Sequence, residues 1–525
     1  MPGVRLRLAK AILLEHFGPV VQQVGVALLE RGRTTLTVLF RRLELSQKQV
    51  RESLFTLIQH NVVTYAETAE GSRMVVYYQA DIDAILVRDR FPLYMRAVRE
   101  RCGDDSEKMF VQVLRHGRAN YDLLVEQSRE PGITRDQLSE AFSTLIDSRI
   151  IRECHAQDSI STEDRMMGEE AAEVARRGGL PLTATEMTKL RRELALRREV
   201  SYDESAETGA KRKVVLDLEE VQNKKFAAEA NTTADPTKFY RANFDRLHIL
   251  LRNAAVARVA EQRMNLGSGE VVRKLLSASE HKMKHCKTDW KSDPVSQIML
   301  SSLLDPNIPL HVDGRPAGSS GTLDYLEALT QDDMHLVTKE SEAGGGQFSV
   351  NLQTAGIELK GRMMESIVQE KFGDTARRIW RILLLMQKLN ETQVAKLALC
   401  PLKTARHCLY AMMNAGLAFI QDVPKTLDHS AARTFFLWYV SIPKSTTQLA
   451  QSAYSTLGNL KQRRATEIDA RARLIEKMGR SDIVDGSAQL NDAELLAVDN
   501  LNRVVATLVG SEVRVAEMVM TLEEF

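Results

Sequence analysis

Three things are scarce in this 525-residue chain: cysteine, an excess of charge of either sign, and long apolar stretches. The five cysteines are odd in number and never spaced as CxxC, which argues against a disulfide framework. The 71 Lys and Arg almost balance the 70 Asp and Glu, for a formal net charge of +1. The field of the whole molecule therefore does not attract nucleic acid strongly.

No apolar run approaches the ~20 residues that a membrane-spanning helix needs. The N-terminal MPGVRLRLAKAILLEHFG carries charges within its apolar stretch and lacks a small-residue cleavage site, which predicts an amphipathic helix and not a signal peptide. Since single cores stop growing beyond ~300 residues, we expect several domains. The chain is expected in the cytosol or nucleus, with no membrane association.

Signatures of catalysis are also missing. The chain contains no GxxxxGK phosphate loop, no HExxH, no GxSxG, and no strand followed by GxGxxG. The best metal candidate is His281 with His285 and Cys286, but its HKMKHCK surroundings are basic and no fourth ligand is near. We therefore expect a protein without catalytic residues, cofactor, metal or small-molecule substrate.

An internal repeat is the strongest positive feature. SQKQVRESLFTLIQHNVVTY and TRDQLSEAFSTLIDSRIIRE each begin at a residue suited to cap a helix, Ser46 and Thr134. Both then place four apolar residues at the i, i+4, i+7, i+8 spacing of one helix face. These are Val50, Leu54, Leu57 and Ile58 in the first copy, and Leu138, Phe142, Leu145 and Ile146 in the second.

Two weaker copies follow, LDYLEALTQDDMHLV and ARHCLYAMMNAGLAFI, and in the last Gly416 stands where a helix C-cap is expected. Two β-rich runs split by a polar loop follow three of the four copies, which predicts an antiparallel hairpin; the second copy lacks a clear return strand. A helix pair followed by a β hairpin is the order of a winged helix. The predicted fold is mainly α with small β wings: four tandem winged-helix modules plus a C-terminal antiparallel coiled-coil hairpin.

The C-terminal hairpin is predicted from a heptad seam. Its charged member, Glu512, and an apolar flank at Val504, Val509 and Val513 indicate a surface that meets another protein. The candidate interface residues are Val498, Leu501, Val505, Leu508, Glu512, Val515, Val519 and Leu522.

The predicted organisation has six parts, of which one is a segment too polar to bury a core of its own. They are winged helix 1 (1–80), winged helix 2 (81–155), a flexible charged insert (156–235), winged helix 3 (236–353), winged helix 4 (354–443) and the helical hairpin (444–525).

Few exposed cations lie on the predicted recognition helices, the second helix of each helix-turn-helix pair. The first leaves Lys48, Arg51 and Gln59 outward, and the second leaves Arg135 beside two acidic residues. The third copy is rich in Asp and Glu, which repel phosphate. We expect weak DNA contact without sequence specificity at Lys48, Arg51, Gln59 and Arg135, and protein docking elsewhere.

Three segments carry a resemblance to a known family: LLEHFGPVVQQVGVALLERGRTTL, VRESLFTLIQHNVV and LNRVVATLVGSEVRVAEMVMTLEEF. They resemble the third-subunit family of eukaryotic DNA-directed RNA polymerase III. The resemblance implies four winged helices and a coiled coil, related to the alpha subunit of transcription factor IIE. It also implies a nuclear, non-catalytic member of a peripheral trimer of subunits that docks on the polymerase clamp.

The role implied by the resemblance is assistance in promoter opening and in transcription of transfer RNA, 5S ribosomal RNA and other small RNAs. The implied partners are the polymerase core, the other two members of the peripheral trimer, and promoter DNA. The alternative is a scaffold of a proteasome-lid or translation-initiation type complex. Such scaffolds end in a single winged helix, whereas this sequence predicts several.

Overall fold

The computed structural model describes residues 2–70, 73–129, 133–177, 183–194, 238–304, 311–312, 315–316, 321–425, 433–479 and 491–525. The chain divides into two compact units, Pro2–Phe244 and Asp245–Phe525, apart from Met1. Both units consist of helices with small antiparallel sheets, which confirms the predicted fold class. Most of the predicted insert, including all of 195–235, lies outside the described residues.

The first module has the order of a winged helix, with a sheet in the order β1-β3-β2. Its elements are α1 (Pro2–Arg31), β1 (Thr34–Thr35), α2 (Leu36–Arg42), α3 (Gln47–Gln59), β2 (Val63–Glu70) and β3 (Arg73–Ala80).

Helix α1 is apolar and long, and by length and composition alone Gly3–Arg31 passes the test for a membrane span. The backbone leaves the helical conformation at Gly18, where φ is 80°, just before Pro19. Both halves of α1 contribute side chains to the core, which is the behaviour of core helices. The buried residues of α1 are Leu8, Ala9, Ile12, Leu13, Val24, Ala27 and Leu28.

The second module follows with more helices, and its sheet has the order β4-β6-β5. Its elements are α4 (Ile82–Leu86), a 3-10 turn (Val87–Arg90), α5 (Phe91–Cys102), α6 (Asp104–His116), β4 (Ala119–Asn120), α7 (Tyr121–Gln127), α8 (Arg135–Asp147), β5 (Ile151–Glu153), a 3-10 turn (Ala156–Ser159), α9 (Thr162–Arg176) and β6 (Phe239–Ala242).

Strand β6 is the return strand that could not be seen in the sequence. It pairs with β5 from Ile151↔Ala242 to Glu153↔Tyr240, although residues 154–238 separate the two strands. The insert therefore lies within the second wing, and the third module does not begin at 236 as expected. A four-residue strand so far from its partner shows no local hairpin pattern, which is why it was not predicted.

The beginning of the expected flexible insert is helical. Helix α9 starts at a cap in which the Ser161 hydroxyl accepts a hydrogen bond from the Asp164 amide. Asp164 also pairs with Arg33 of the first module at 2.5 Å, and Glu170 pairs with Arg191 of the helical residues 184–194 at 2.8 Å. Charged residues that suggested a solvated loop thus form ion pairs in this part of the insert, Asp164 with Arg33 and Glu170 with Arg191.

The third module lies in the second unit, with a sheet in the order β10-β11-β7. The elements are α10 (Phe244–Arg263), α11 (Leu266–Ser279), a 3-10 turn (Glu280–Lys282), β7 (Val295–Ser296), α12 (Gln297–Leu303), β8 (His311–Val312), β9 (Arg315–Pro316), α13 (Gly321–Gln331), β10 (Val337–Ser341) and β11 (Gln347–Val350).

The fourth module and the C-terminal helices complete the second unit. The elements are α14 (Leu352–Phe372), α15 (Asp374–Met386), α16 (Glu391–Leu397), α17 (Leu402–Asn414), β12 (Phe419–Pro424), β13 (Thr434–Tyr439), α18 (Ile442–Asp469), α19 (Ala472–Met478) and α20 (Asp492–Glu524).

The C-terminal helices run antiparallel, as three contacts show. Tyr454 donates to Glu523 at 2.5 Å, Arg464 pairs with Glu512 at 2.9 Å, and Lys477 pairs with Glu494 at 2.6 Å. As the residue numbers rise along α18 and α19, the residue numbers of their partners on α20 fall. The two apolar stripes therefore cover each other along the hairpin.

Three recognition helices end in the same way. Asn61, Arg149 and Gly416 have positive φ values of 57°, 58° and 71°. The amide of the next residue returns to the carbonyl five positions earlier, as in Val62 to Leu57 at 2.9 Å. This is a Schellman cap, and it confirms the predicted cap at Gly416. In each module it turns the chain from the recognition helix into the first wing strand.

Candidate interaction surfaces

The first recognition helix, α3, presents a cationic and aromatic outer face. Because Val50, Leu54 and Leu57 are buried, the opposite side of the helix is open. Lys48 is 85% exposed and lies 3.8 Å from Glu52, and Arg51 is also exposed. Two cations on one helix can contact only a few phosphates, which gives weak, salt-dependent affinity.

Gln59 and Arg135 do not join that face. Gln59 is half-buried at the end of α3. Gly117 of the second module approaches it so closely that a Cβ at Gly117 would lie only 2.5 Å from the Gln59 carbonyl oxygen. Arg135 starts the recognition helix of the second module, α8, and lies 4.0 Å from Asp122. The four predicted DNA contacts are therefore split, with only Lys48 and Arg51 sharing a surface.

An aromatic residue on α3 was not predicted as part of this face. Phe55 is 69% exposed, four positions after Arg51 on the outer face of the helix. The signal was present in the repeat, because α17 carries the same outward series: Lys403, Arg406 and the 47% exposed Tyr410. The corresponding positions of α8 hold Asp136, Ser139 and Ser143. Modules one and four thus share an outer face that the second module lacks.

The heptad seam of α20 faces inward. Its members Val498, Leu501, Glu512, Val519 and Leu522 are buried, and Leu522 belongs to the core of the fourth module. Val505, Leu508 and Val515 are half-buried. The five buried residues are not available to another protein, which corrects the prediction that the whole seam is an interface.

Glu512 has an internal partner. Both of its carboxylate oxygens accept from Arg464 of α18, at 2.9 and 3.0 Å, and Lys461 lies 3.9 Å away. All three side chains are largely buried. The charge that interrupts the seam is therefore explained by the hairpin itself and does not indicate an external partner.

The flank of the seam stays open. Val504 is exposed, and Leu508 and Val515 follow it at i+4 and i+11, which places all three on one stripe of α20. Val504 belongs to the apolar flank noted in the sequence, whereas Leu508 and Val515 belong to the predicted seam. Of the predicted interface residues, Val505, Leu508 and Val515 remain partly accessible.

The rejected metal candidate is not assembled. His285 Nδ1 lies 3.3 Å from Asp245, while His281 Nδ1 lies 3.0 Å from the carbonyl of Ala278. Burial raises the pKa of the Cys286 thiol to about 12, so the thiolate that a metal needs is disfavoured. Over the described ranges no group of three or more His, Cys, Asp or Glu is placed to hold a metal ion.

Comparison with known families gives three matches that agree with one another. Residues 7–68 match the RNA polymerase III subunit RPC82 helix-turn-helix domain, residues 140–359 match RNA polymerase III subunit RPC82, and residues 364–440 match the POLR3C C-terminal winged-helix domain. The first and third matches fall on the first and fourth modules.

Similar proteins extend over the whole chain. DNA-directed RNA polymerase III subunit RPC3 of Mus musculus is 28% identical over 561 residues, covering 100% of this chain and 98% of the mouse protein. The Homo sapiens protein of the same name is 28% identical over 562 residues, with the same coverage. The Danio rerio protein is 29% identical over 517 residues, covering 96% of this chain and 92% of the fish protein.

Proposed function

Because the chain belongs to the RNA polymerase III subunit RPC3 (RPC82) family, we propose that it is a non-catalytic subunit of RNA polymerase III. It works in a peripheral trimer of subunits that docks on the clamp of the core enzyme and assists promoter opening. The polymerase transcribes transfer RNA, 5S ribosomal RNA and other small RNAs. This chain acts with it in the nucleus. The observation that carries this proposal is the end-to-end match with RPC3 proteins.

The proposed protein interface is the stripe Val504, Leu508 and Val515 on α20. An apolar stripe on the outer side of a helix whose inner side is already packed is suited to pack against another helix. The clamp or one of the other two members of the trimer is the proposed occupant. The acidic residues exposed on the third recognition helix, such as Asp324 and Glu327, favour a protein neighbour there as well.

The proposed DNA contacts are Lys48 and Arg51 on α3, with Arg135 a separate point of contact on α8 and Gln59 beside the module junction. So few cations give low affinity and no base-specific readout. The core enzyme would supply most of the affinity for promoter DNA, and this chain would guide the duplex.

The alternative function, a scaffold of a proteasome-lid or translation-initiation type complex, requires stacked helical hairpins that end in one winged helix. Paired wing strands follow recognition helices at four places in the described chain. That arrangement favours the polymerase proposal.

Rapid depletion of the protein in its own cells tests the proposed function. We expect newly made transfer RNA precursors and 5S ribosomal RNA to fall first, because initiation at their promoters stops, while messenger RNA synthesis continues. Sequencing of nascent RNA within the first hour measures both. A depleted cell that keeps making transfer RNA precursors but accumulates ubiquitylated proteins would support the alternative instead.

A further inference from the structure

A polar cleft of about 580 Å³ lies within the second unit, where the third and fourth modules meet. Its walls are the end of α10 and one face each of α14 and α15. This volume is in the range of ligand-binding pockets, ~300 to 1,000 Å³. The charged residues that line the cleft are Arg263, Glu358, Arg362, Glu365, Arg377 and Arg381.

Helix α14 supplies the floor of the cleft. Its buried residues, such as Met364 and Val368, lie on another side of the helix and pack into the core. The floor residues recur at the i, i+4, i+7, i+8, i+11 spacing of a single helix face. They are Glu358, Arg362, Glu365, Ser366 and Gln369. The periodicity of α14 thus brings together a row of polar side chains.

The first glutamate of this row lies between two arginines. Glu358 is 2.8 Å from Arg362 and 3.9 Å from Arg263. Arg362 also donates to Gln262 at 3.1 Å, and Arg263 pairs with Asp332 at 2.7 Å. Arg263 and Arg362 are called the first arginine pair below. They hold one carboxylate between them at the α10 end of the cleft.

The second arginine pair, Arg377 and Arg381, surrounds Glu365 in the same way. Arg377 pairs with Glu365 and donates to Gln369 at 2.9 Å, while Arg381 lies 2.5 Å from Glu365. Because Glu358 and Glu365 are seven positions apart on α14, the two glutamates are separated by ~10 Å along the helix axis. The cleft therefore has an arginine pair at each end, already arranged around an anion.

The four arginines can accept a further anion. Among the described residues they share three carboxylates, the two glutamates and Asp332. A guanidinium has five donors, and the contacts of each arginine use one or two of them. The arginine side chains are between 30% and 56% exposed. A ligand can therefore reach donors that the protein does not use.

The other residues of the described lining restrict the kind of ligand. They are Gln262, Ser366 and Gln369, which offer hydrogen bonds but no aromatic ring and no aliphatic surface. A nucleobase would find no ring to stack on, and apolar side chains of a peptide would find nothing to pack against. A phosphate group carries up to two negative charges and three acceptor oxygens, which the arginine fork binds through two hydrogen bonds.

We propose that this cleft binds a small molecule that carries several phosphate groups, an inositol polyphosphate or a linear polyphosphate. One phosphate contacts the first arginine pair and another contacts the second, since a single phosphate does not span ~10 Å of α14. The bound molecule would join α10 to α14 and α15, and so link the third module to the fourth. The inference goes beyond the proposed function and does not depend on it.

Isothermal titration calorimetry of the purified full chain with inositol hexakisphosphate, at ~0.15 M salt, tests the inference. We expect Arg381→Gln to weaken binding at least about tenfold, since a charge-assisted hydrogen bond to phosphate is lost. The matched control is Arg378→Gln, which removes the same charge from an exposed position of α15 outside the cleft lining. The control should bind within about twofold of wild type.

Glu365→Gln separates a ligand site from an internal ion-pair network. In a ligand site the glutamate competes with phosphate for Arg377 and Arg381, so its neutralisation should tighten binding at least about threefold. The ligand should then raise the melting temperature of this variant more than that of wild type. Circular dichroism spectra equal to wild type check that the variants fold.

Three results would overturn the inference. They are the absence of binding heat with wild type, equal losses for Arg381→Gln and Arg378→Gln, and weaker binding by a folded Glu365→Gln variant. Any of them would leave the arginines as a structural network alone.

Further titrations decide between ligands. Inositol hexakisphosphate and tripolyphosphate identify the source, because the tighter of the two has the shape that the cleft accepts. A peptide with two phosphoserines, or oligothymidylate, should bind at least about tenfold more weakly at this site. If either bound as tightly and lost that binding in Arg381→Gln, the cleft would be a site for a macromolecule and the inference would be wrong.

Discussion

At the residue scale, the most unusual group is His60, where the first two modules meet. Its ring packs edge-on against Phe17 at 4.9 Å, and its Nδ1 is buried without a hydrogen-bond partner among the described atoms. Burial first, and then the positive charges of Arg88, His116 and His16, lower the pKa of His60 to about 3. The folded protein therefore holds this imidazole neutral.

This shift predicts acid sensitivity of the Pro2–Phe244 unit. The unfolded chain takes up the His60 proton below its ordinary pKa of 6.5, whereas the folded chain resists protonation down to about 3. The contribution of neutral His60 to the free energy of unfolding is thus present above pH 6.5 and is lost as the pH is lowered. We expect His60 to account for about 2 kcal/mol of lost unfolding free energy between pH 7 and pH 5.

Urea unfolding of wild type and of His60→Phe at the two pH values measures this contribution. The variant keeps an aromatic ring beside Phe17 but has no proton to bind, so its pH dependence should be flatter by that amount. The same loss in both proteins would show that another group is responsible.

Residues that depend on near neighbours could be predicted from the sequence. Ser46 and Thr134 cap their helices as expected, each accepting a hydrogen bond from the amide three positions later, at 3.2 and 3.4 Å. The role of Glu512 could not, because Arg464 is distant in sequence and nothing local links them. The exposure of Phe55 was missed as well, although the matching outward series of the fourth copy, Lys403, Arg406 and Tyr410, carried the signal.

At the element scale, the hairpin of α18 and α20 is fixed by apolar stripes and by one buried ionic cluster. Glu512 neutralises Arg464 beside Lys461, which is only 8% exposed. Removing the carboxylate from such a cluster leaves two buried cations without the anion that they share, which costs more than the lost contact itself.

We therefore expect Glu512→Ala to lower the free energy of unfolding of the second unit by about 3 to 5 kcal/mol. Urea denaturation followed by far-ultraviolet circular dichroism measures it. Lys477→Ala is the matched control, because its ion pair with Glu494, at the end of the hairpin where the chain turns, is partly exposed to solvent and screened. Equal midpoints for the two variants would show that the Arg464 cluster does not stabilise the hairpin.

Helices and strands that are long or repeated could be predicted from the periodicity of the apolar residues. The wing strands of the first, third and fourth modules pair as predicted. Strand β6 and helix α9 were not foreseen, because one is four residues long and the other buries no side chain that would mark it.

At the scale of the whole molecule, a net charge of +1 hides an uneven distribution. Residues 244–350 of the third module contain 14 Asp and Glu and 12 Lys and Arg, while residues 352–440 of the fourth contain 7 Asp and Glu and 12 Lys and Arg. The fourth module is therefore the more basic of the two and the better suited to nucleic acid, whereas the third is nearly balanced and has its acidic residues concentrated in residues 295–350. Total charge could not reveal this division, whereas the repeat, which defines the modules, makes it visible.

The central claim is membership in the polymerase, and affinity purification of the chain tagged at its own locus tests it most directly. Quantitative mass spectrometry of the purified material should find the large subunits of RNA polymerase III in amounts equal to the tagged chain. Purification with proteasome-lid or translation-initiation subunits, and without the polymerase, would contradict the account.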